Sequence, residues 1–267
     1  METLRQTVDR HNLMAKKALG QNFLLDFNIV EKIIKLSLDK QKLSSFDGED
    51  VFEVGPGPGG LTRAVLSANP KTLSVFEMDE RCIKIMEELK RVYPQLNIFN
   101  QDALKVDWQS KQGHIVSNLP YNISVPLLMG WLNNMSNYKS LTLMFQKEVA
   151  DRIMADTGTK DYGRVSVVAQ LQCNIVKLMD LNPECFTPAP KIWSSVLLFT
   201  PKESLLSKKE ITEIEKLTAM AFGQRRKMIR QSLKSYSGLQ EKLDALGIKN
   251  TLRAENLTPE QYLLLTK

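Results

Sequence analysis

Short apolar runs recur along the first 200 residues and alternate with stretches whose apolar residues have helical spacing. The segment 79–92 is such a stretch, because Ile83, Met86 and Leu89 recur every third residue. Strands that alternate with helices predict an α/β fold, in which helices cover both faces of a mostly parallel sheet. The seven predicted strands are residues 51–54, 73–76, 96–99, 115–117, 141–145, 170–178 and 195–199.

The pattern changes after Pro201, because residues 202–267 contain no run typical of a strand. Breaks at Gly223, Gly238 and Gly247 separate four segments with helical periodicity. These predicted helices are residues 208–222, 225–234, 239–246 and 259–265. We therefore expect two domains, a catalytic α/β domain over residues 1–200 and a small all-helical domain over residues 201–267.

Composition excludes several classes of protein. The chain has 267 residues and 43% of them are hydrophobic, which is enough for a globular core. Its three cysteines lack metal-ligand spacing and it has two histidines, so we expect neither a disulfide scaffold nor a metal site. The N-terminus has no apolar run typical of a secretory signal, and no segment is apolar enough to span a membrane. The odd number of cysteines fits a reducing compartment, so we expect a cytoplasmic protein.

The net charge of +6 permits a nucleic-acid partner but does not demand one. The glycine loop at residues 55–60 is more informative, because it directly follows a predicted strand. Gly55, Gly57 and Gly60 match the G-x-G-x-x-G spacing of dinucleotide-binding loops. Pro56 and Pro58, however, lack the backbone N–H groups that hold a pyrophosphate. This disfavours a nicotinamide-dependent oxidoreductase and favours S-adenosylmethionine, which has no phosphate.

Acidic residues follow the next two strands. Glu77 is placed to bind ribose hydroxyls, and Asp102 is placed to accept a hydrogen bond from an adenine amino group. Each feature has a purely structural alternative, since Glu77 can be a solvated charge and Asp102 can cap a helix. Their position at successive strand ends beside the glycine loop favours a cofactor site.

Asn118-Leu119-Pro120-Tyr121 follows the fourth predicted strand, inside a segment (112–138) without Asp, Glu, Lys or Arg. An exocyclic amine is a poor nucleophile, because its lone pair is conjugated into the ring. The Asn118 side-chain oxygen and the Leu119 carbonyl are neutral acceptors for such an amine, and Pro120 stiffens the turn. Tyr121 offers a ring on which an extruded base stacks. The structural alternative is an ordinary Asn-Pro turn with Tyr121 in the core.

These motifs together closely resemble the KsgA family of ribosomal-RNA adenine dimethyltransferases along nearly the whole chain. The segments that carry the resemblance are residues 17–24, 53–57, 76–79, 101–104, 118–124, 145–150, 186–191 and 222–227. The resemblance implies a Rossmann-like S-adenosylmethionine-dependent methyltransferase fold with a seven-stranded sheet and a small C-terminal helical domain.

The resemblance also implies the site and the substrate. The implied cofactor-binding residues are Asn22, Leu24, Gly55, Gly57, Glu77, Asp102 and Asn118. The implied catalytic residues are Asn118, Leu119, Pro120, Tyr121 and Phe186. Tyr121 and Phe186 would sandwich the target base. The implied reaction is N6,N6-dimethylation of two adjacent adenines near the 3′ end of 16S rRNA, within a pre-30S particle.

Basic residues are the candidate RNA contacts. Four of them lie in the segment 225–230, where a predicted helix would place 226, 227 and 230 on one face. The set is Lys147, Arg152, Lys191, Arg225, Arg226, Lys227 and Arg230, with Lys16, Lys17 and Lys234 as further candidates. The alternative is a solvated basic surface without a partner.

Two other functions stay open at this point. One is a related adenine dimethyltransferase that acts on large-subunit rRNA and confers antibiotic resistance. The other is an RNA-binding assembly factor in which catalysis is dispensable. We expect the protein to be a monomer and to act without metal.

Overall fold

The structure is a computed structural model and describes residues 2–14 and 21–267. Its strands are β1 (Phe23–Leu24), β2 (Asp50–Val54), β3 (Thr72–Glu77), β4 (Leu96–Asn100), β5 (Gly113–Asn118), β6 (Tyr138–Gln146), β7 (Cys173–Leu181), β8 (Phe186–Thr187) and β9 (Ser194–Pro201). Its α-helices are α1 (Leu4–Arg10), α2 (Phe27–Gln41), α3 (Gly60–Ser67), α4 (Glu80–Val92), α5 (Tyr121–Leu132), α6 (Lys147–Ile153), α7 (Arg164–Gln172), α8 (Lys208–Gly223), α9 (Ile229–Ser232), α10 (Leu239–Ala245) and α11 (Pro259–Thr266).

Seven strands of the described chain form one sheet in the order β4-β3-β2-β5-β6-β9-β7. The pairs β4–β3, β3–β2, β2–β5 and β5–β6 are parallel, and β9 runs antiparallel to β6. The central strands are mostly buried, as expected for a sheet covered on both faces. This confirms the predicted α/β fold with a mostly parallel sheet of seven strands.

The parallel arrangement determines where the polar strand ends lie. Strands β2, β3 and β5 run in the same direction, so their carboxyl ends share one edge of the sheet. The glycine loop, Glu77 and Asn118 are at those ends. A separate antiparallel pair, β1 with β8, places Leu24 opposite Phe186. This short pair was not predicted from the sequence, because a strand of two residues is too short to show a periodic pattern.

The chain divides into two compact units. The first comprises Met1–Leu128, Asn137–Lys147 and Val176–Thr200, and holds the strand ends described above. The second comprises Met129–Ser136, Glu148–Ile175 and Pro201–Lys267. The second unit is thus assembled from three segments, whereas the sequence predicted a single C-terminal one. The assignment of separate catalytic and RNA-binding roles to residues 1–200 and 201–267 remains a prediction.

Two predicted elements differ from the structure. The helix predicted over 225–234 is wrong, because α8 ends at Gly223 and the following residues form a turn, with the Lys227 N–H bonded to the Gln224 carbonyl at 2.8 Å. Met228 then bridges to Arg253, and only the four residues of α9 are helical. The strand predicted over 170–178 begins later, since residues 170–172 complete α7. A short apolar run does not distinguish a buried helix from a strand.

The part of the chain that the structure describes has neither a membrane-spanning helix nor a cluster of metal ligands. None of its helices combines the length and the apolar character that crossing a bilayer requires. No cluster of three or more His, Cys, Asp or Glu side chains in residues 2–14 and 21–267 is arranged to hold a metal ion.

Candidate functional site

The glycine loop is a tight turn between β2 and α3. Gly55 and Gly57 have positive φ angles of 68° and 54°, which glycine adopts without strain. A side chain at Gly57 would meet the Phe23 ring at 3.2 Å, and one at Gly60 would lie 2.7 Å from the Leu24 carbonyl oxygen. The β1 strand therefore packs directly on the loop, and these positions have no room for a side chain.

The N–H groups of the loop glycines are already bonded within the protein. Gly55 donates to the Phe76 carbonyl at 2.9 Å, and Gly59 donates to the Pro56 carbonyl at 2.9 Å. Gly57 donates to Glu77 Oε2 at 3.3 Å. Since Pro56 and Pro58 have no N–H, the loop has no free donor for a pyrophosphate before α3 begins. The geometry agrees with the expectation drawn from the two prolines.

A first cavity, which we call the Glu77 cavity, lies against the ends of β2, β3 and β4. It is lined by Val54, Gly55, Phe76, Glu77, Met78, Gln101, Asp102, Ala103, Leu104, Pro120, Asn122 and Ile123. Two of these side chains are carboxyls, and the remaining ones are uncharged. The predicted cofactor residues Gly55, Glu77 and Asp102 are therefore brought together here.

Glu77 is held in one orientation. Its Oε1 accepts hydrogen bonds from the N–H groups of Met78 at 2.8 Å and Asp79 at 2.9 Å. Burial nevertheless raises the pKa of the Glu77 carboxyl, because it outweighs the hydrogen bonds that favour the charged form. Asp102 caps the turn that follows β4, and its Oδ1 accepts from the Leu104 N–H at 3.0 Å. Both carboxylates keep acceptor capacity on their second oxygen.

A second cavity, the Asn118 cavity, lies on the other side of Gly55 and Pro120, which line both cavities. It is lined by Gln21, Asn22, Phe23, Leu24, Glu53, Gly55, Pro56, Gly57, Pro58, Gly60, Leu61, Asn118, Leu119, Pro120, Tyr121 and Met144. The remaining predicted cofactor residues and the predicted catalytic turn meet here. The Asn118 amide nitrogen donates to the Asn22 carbonyl at 3.5 Å, which leaves the Asn118 Oδ1 as an acceptor.

The Asn118 cavity contains one buried carboxyl, that of Glu53. Burial raises the Glu53 pKa to about 8, although Thr62 Oγ1 donates to its Oε2 at 2.7 Å. The group is therefore mostly protonated at neutral pH. Glu53 is the one acidic or basic residue among the described residues that line this cavity, so the cavity is close to neutral. Glu53 was not among the site residues predicted from the sequence, although a glutamate within a predicted apolar strand was a signal.

Tyr121 is the first residue of α5 and is half-buried. Its hydroxyl lies 2.8 Å from Ser194 Oγ, which begins the antiparallel strand β9. Burial raises the pKa of the phenol, so Tyr121 is neutral. The hydrogen bond to Ser194 fixes the ring at the mouth of the Asn118 cavity. Ser194 could not be predicted from the sequence, because its proximity to Tyr121 depends on how distant segments of the chain pack.

Phe186 is placed differently from the other predicted catalytic residues. It is 3% exposed and belongs to the hydrophobic core, opposite Leu24 in the β1–β8 pair. It is not among the residues that line either cavity. Its proposed contact with a substrate base therefore requires a rearrangement of this short strand pair, and it stays a prediction.

Asp79 is a buried carboxylate that binds a residue of the segment before β1. It caps the N-terminus of α4, and Arg81 binds both of its oxygens, with Nε at 3.0 Å and Nη2 at 2.6 Å. Gln21 Nε2 donates to the same carboxylate at 3.1 Å. The Arg81 hydrogen bonds hold the Asp79 pKa well below its usual range, so the group is charged. Asp79 thus attaches the segment before β1 to the sheet.

The predicted RNA contacts have different surroundings. Arg225 is half-buried and joins two other segments of the second unit. Its Nε donates to Glu255 at 3.1 Å, and its Nη2 donates to the Thr159 carbonyl at 3.1 Å. Lys147 is half-buried, with its Nζ 3.7 Å from Asp180. The exposed members of the set are Arg152, Lys191, Arg226, Lys227 and Arg230. Lys16, Lys17 and the motif positions 17–20 lie outside the described residues.

Comparison with known proteins agrees with this geometry. The family described as "Ribosomal RNA adenine dimethylase" matches residues 12–267. The chain is 41% identical to Ribosomal RNA small subunit methyltransferase A of Rhodospirillum rubrum, over 99% of this chain and 91% of the relative. It is 44% identical to the protein of that name from Chelativorans sp., over 99% of this chain and 96% of the relative. The chain belongs to the ribosomal RNA adenine dimethylase family.

Solved structures agree with this membership. A dimethyladenosine transferase from Plasmodium falciparum has a TM-score of 0.76 and 25% identity, and the match covers 89% of this chain and 94% of that one. The 23S rRNA methyltransferase ErmE has a TM-score of 0.68 and 23% identity, over 92% and 98% of the two chains, and therefore supports the fold alone. As a member of this family, the protein is an enzyme that uses S-adenosylmethionine.

The two cavities fit that cofactor. S-adenosylmethionine needs no pyrophosphate donors, and the loop offers none. Its adenosine half suits the Glu77 cavity, where two carboxyls accept hydrogen bonds from hydroxyl and amino groups. Its cationic end suits the Asn118 cavity, in which no lysine or arginine of the described chain is present.

Proposed function

We propose that this protein dimethylates N6 of two adjacent adenines near the 3′ end of small-subunit rRNA. The observation that carries the proposal is the Asn118–Tyr121 turn, which shares a neutral cavity with the glycine loop. The names of the relatives from R. rubrum and Chelativorans support the small subunit as the target. The lining of the cavity is nearly neutral, so it suits an uncharged base better than it suits a phosphate or a cationic group.

The cofactor would be held along the edge of the sheet. Glu77 Oε2, which has one weak partner in Gly57, accepts from the ribose hydroxyls. Asp102 accepts from the adenine amino group. Gly55 lies where the two cavities meet, so the centre of the cofactor would lie against it. Asn22, Leu24, Gly57 and Asn118 line the cavity that takes the methionine end.

S-adenosylmethionine, when bound, supplies an electrophilic methyl group to a nucleophilic nitrogen. The residues of this chain position that nitrogen. The Asn118 Oδ1 and the Leu119 carbonyl accept the two N–H groups of the amine, which turns its lone pair out of conjugation with the ring. Pro120 fixes the turn between the two acceptors. The methylated nitrogen becomes acidic and releases its proton to solvent, so no strong base is needed.

The target base would stack on Tyr121 at the mouth of the cavity, with Phe186 on its other face after a local rearrangement of β8. After the first transfer only one N–H remains, and the pocket must accept a methyl group. Uncharged acceptors tolerate the loss of a hydrogen-bond partner better than a buried carboxylate does, because no charge is left unpaired. The near neutrality of the Asn118 cavity therefore suits two successive transfers.

The RNA backbone would meet the basic residues. We propose that basic side chains in two stretches of the sequence contact phosphates. The first set is Lys147, Arg152 and Lys191. The second set follows α8 and consists of Arg226, Lys227 and Arg230. Arg225 contributes by supporting that turn through Glu255. The enzyme would act as a monomer in the cytoplasm, on a pre-30S particle in which the 3′ end is still accessible.

The proposal is tested by incubating the enzyme and labelled S-adenosylmethionine with undermodified small subunits, and then mapping dimethyladenosine in the RNA. We expect label in two adjacent adenines of small-subunit RNA and none in large-subunit RNA. Asn118→Ala should abolish transfer while RNA binding persists, and the exposed Asn28→Ala on α2 is a matched control that should stay active. Label in large-subunit RNA, or full activity of Asn118→Ala, would contradict the proposal.

A further inference from the structure

One aromatic side chain near the Asn118 cavity has no role in the function described so far. Trp193 is 48% exposed, whereas the other two tryptophans, Trp108 and Trp131, are 7% and 0% exposed. Ile192 beside it is 39% exposed. About half of this ring is in water, so its exposed face is available for a partner to stack on.

The backbone around Trp193 is fixed, although its ring is free. The Trp193 carbonyl accepts a hydrogen bond from the Lys147 N–H at 2.8 Å, where α6 begins. The next residue, Ser194, is fully buried, pairs with Gln146 and holds the Tyr121 hydroxyl at 2.8 Å. The backbone that carries the Trp193 ring is therefore already ordered, so no backbone entropy of this segment would be lost when a partner stacks on the ring.

Its position relative to Tyr121 suggests the partner. Trp193 directly precedes Ser194, whose Oγ lies 2.8 Å from the Tyr121 hydroxyl, so the segment that carries Trp193 is attached to the residue on which the target base would stack. Under the proposed function the substrate has two adjacent adenines, so the base next to the target would lie outside the Asn118 cavity, on the surface where Trp193 is exposed. That second base must leave its own stack, and an exposed indole compensates for the loss.

The charges nearby agree with a nucleotide. Lys191 is exposed and has no ion-pair partner among residues 2–14 and 21–267. It lies two residues before Trp193, so a phosphate adjoining a base on the indole is within reach of a long cationic side chain. The Lys191 ammonium beside the ring favours a nucleotide over an apolar protein surface, because only the nucleotide carries a phosphate for it to bind.

We propose that Trp193 is a stacking platform for the base that adjoins the target adenine, with Lys191 binding the phosphate beside it. The proposal rests on the proposed function and adds a positioning residue to it. Trp193 does not touch the reacting atoms. It holds the neighbouring nucleotide so that the target amine lies at Asn118.

Intrinsic fluorescence tests the platform directly, because Trp193 is the exposed tryptophan. The probe is a short single-stranded RNA with two adjacent adenines, compared with the same RNA carrying an abasic site at the second position. We expect quenching by the first RNA, much less by the second, and none in Trp193→Phe, which retains both buried tryptophans. Equal quenching by both RNAs would overturn the proposal.

Kinetics on undermodified small subunits provide the second measurement. Loss of one stacked base predicts that Trp193→Ala lowers kcat/KM by roughly 5- to 100-fold, while Trp193→Phe recovers most of it. Thermal stability should not change, because the ring is half-exposed. Phe27→Leu, which alters another exposed aromatic residue that lines neither cavity, is the matched control and should retain the wild-type rate.

The outcomes separate this proposal from the proposed function. If the wild type methylates small-subunit RNA and Trp193→Ala does so equally well, the platform is wrong and the function stands. If the wild type methylates no small-subunit RNA yet Trp193 is quenched only by RNA with the second base, the proposed function fails while the platform remains. If Trp193→Ala instead dissociates a dimer in sedimentation, the surface binds a second copy and the proposal is overturned.

Discussion

Glu53 should make the stability of this protein fall as the pH rises. Its carboxyl is fully buried beside the glycine loop, and burial raises its pKa from 4.5 to about 8. A group whose pKa is raised in the folded state stabilises the fold as the neutral acid. That stability is complete below the unfolded pKa of 4.5 and is lost as the pH rises through about 8.

The magnitude follows from the two pKa values. From about pH 6 to about pH 8 the unfolded chain has Glu53 ionised while the folded chain keeps it mostly neutral, so the free energy of unfolding falls over about two pH units. Above about pH 8 both states are charged, and the free energy of unfolding no longer changes through this group up to about pH 9. At about 1.4 kcal/mol per pKa unit, this difference costs the wild type about 3 kcal/mol of unfolding free energy. Glu53→Gln removes the titration and still offers an oxygen to the Thr62 hydroxyl, which donates at 2.7 Å.

The assay is urea unfolding of the cofactor-free enzyme at both pH values. We expect the wild type to lose about 3 kcal/mol more than Glu53→Gln over this range, because the other alkaline titrations are common to both proteins. Glu31→Gln is the matched control, since it removes a carboxyl from an exposed position of α2, and it should behave like the wild type. Equal losses in the wild type and Glu53→Gln would refute the reasoning.

Three further predictions concern other sites. Burial lowers the pKa of His114 from 6.5 to about 4, so the free energy of unfolding should fall as the pH drops through this range. The loss should be about 2 kcal/mol between about pH 7 and pH 5, and urea unfolding of His114→Gln should show less of it. Tyr121→Phe keeps the ring but leaves the buried Ser194 hydroxyl without that partner, so thermal unfolding should show a loss of about 1–3 kcal/mol while kcat/KM stays within a few-fold. Arg226→Ala should weaken RNA binding and reduce its salt dependence with little effect on stability, whereas Arg225→Ala should lower the melting temperature, because Arg225 binds Glu255 and the Thr159 carbonyl. Unchanged RNA affinity for Arg226→Ala would argue against that contact.

The strand pattern and the punctuation at the strand ends were enough to predict the sheet. The runs over 51–54, 73–76 and 96–99 correspond to β2, β3 and β4 within one residue at each end. Their carboxyl ends then place Glu77 and Asp102 together, because parallel strands end at one edge. The two prolines of the loop also gave a correct expectation, since a missing N–H is a property of the residue itself.

The segment after α8 could not be predicted in the same way. Residues 225–234 have helical composition, yet the turn after Gly223 and the bridge between Met228 and Arg253 leave only α9 helical. A contact between residues 25 positions apart overrides local propensity, and nothing in the local pattern reports it.

The sequence by itself determined the fold class, the neutral segment that carries Asn118 and Tyr121, and the absence of phosphate donors at Pro56 and Pro58. These are properties of residue type and spacing. The tertiary structure alone decided that Glu53 is neutral, that Phe186 is in the core, and that Ser194 holds Tyr121 beside an exposed Trp193. Burial and proximity across distant strands produce these features, and both depend on how the whole chain packs.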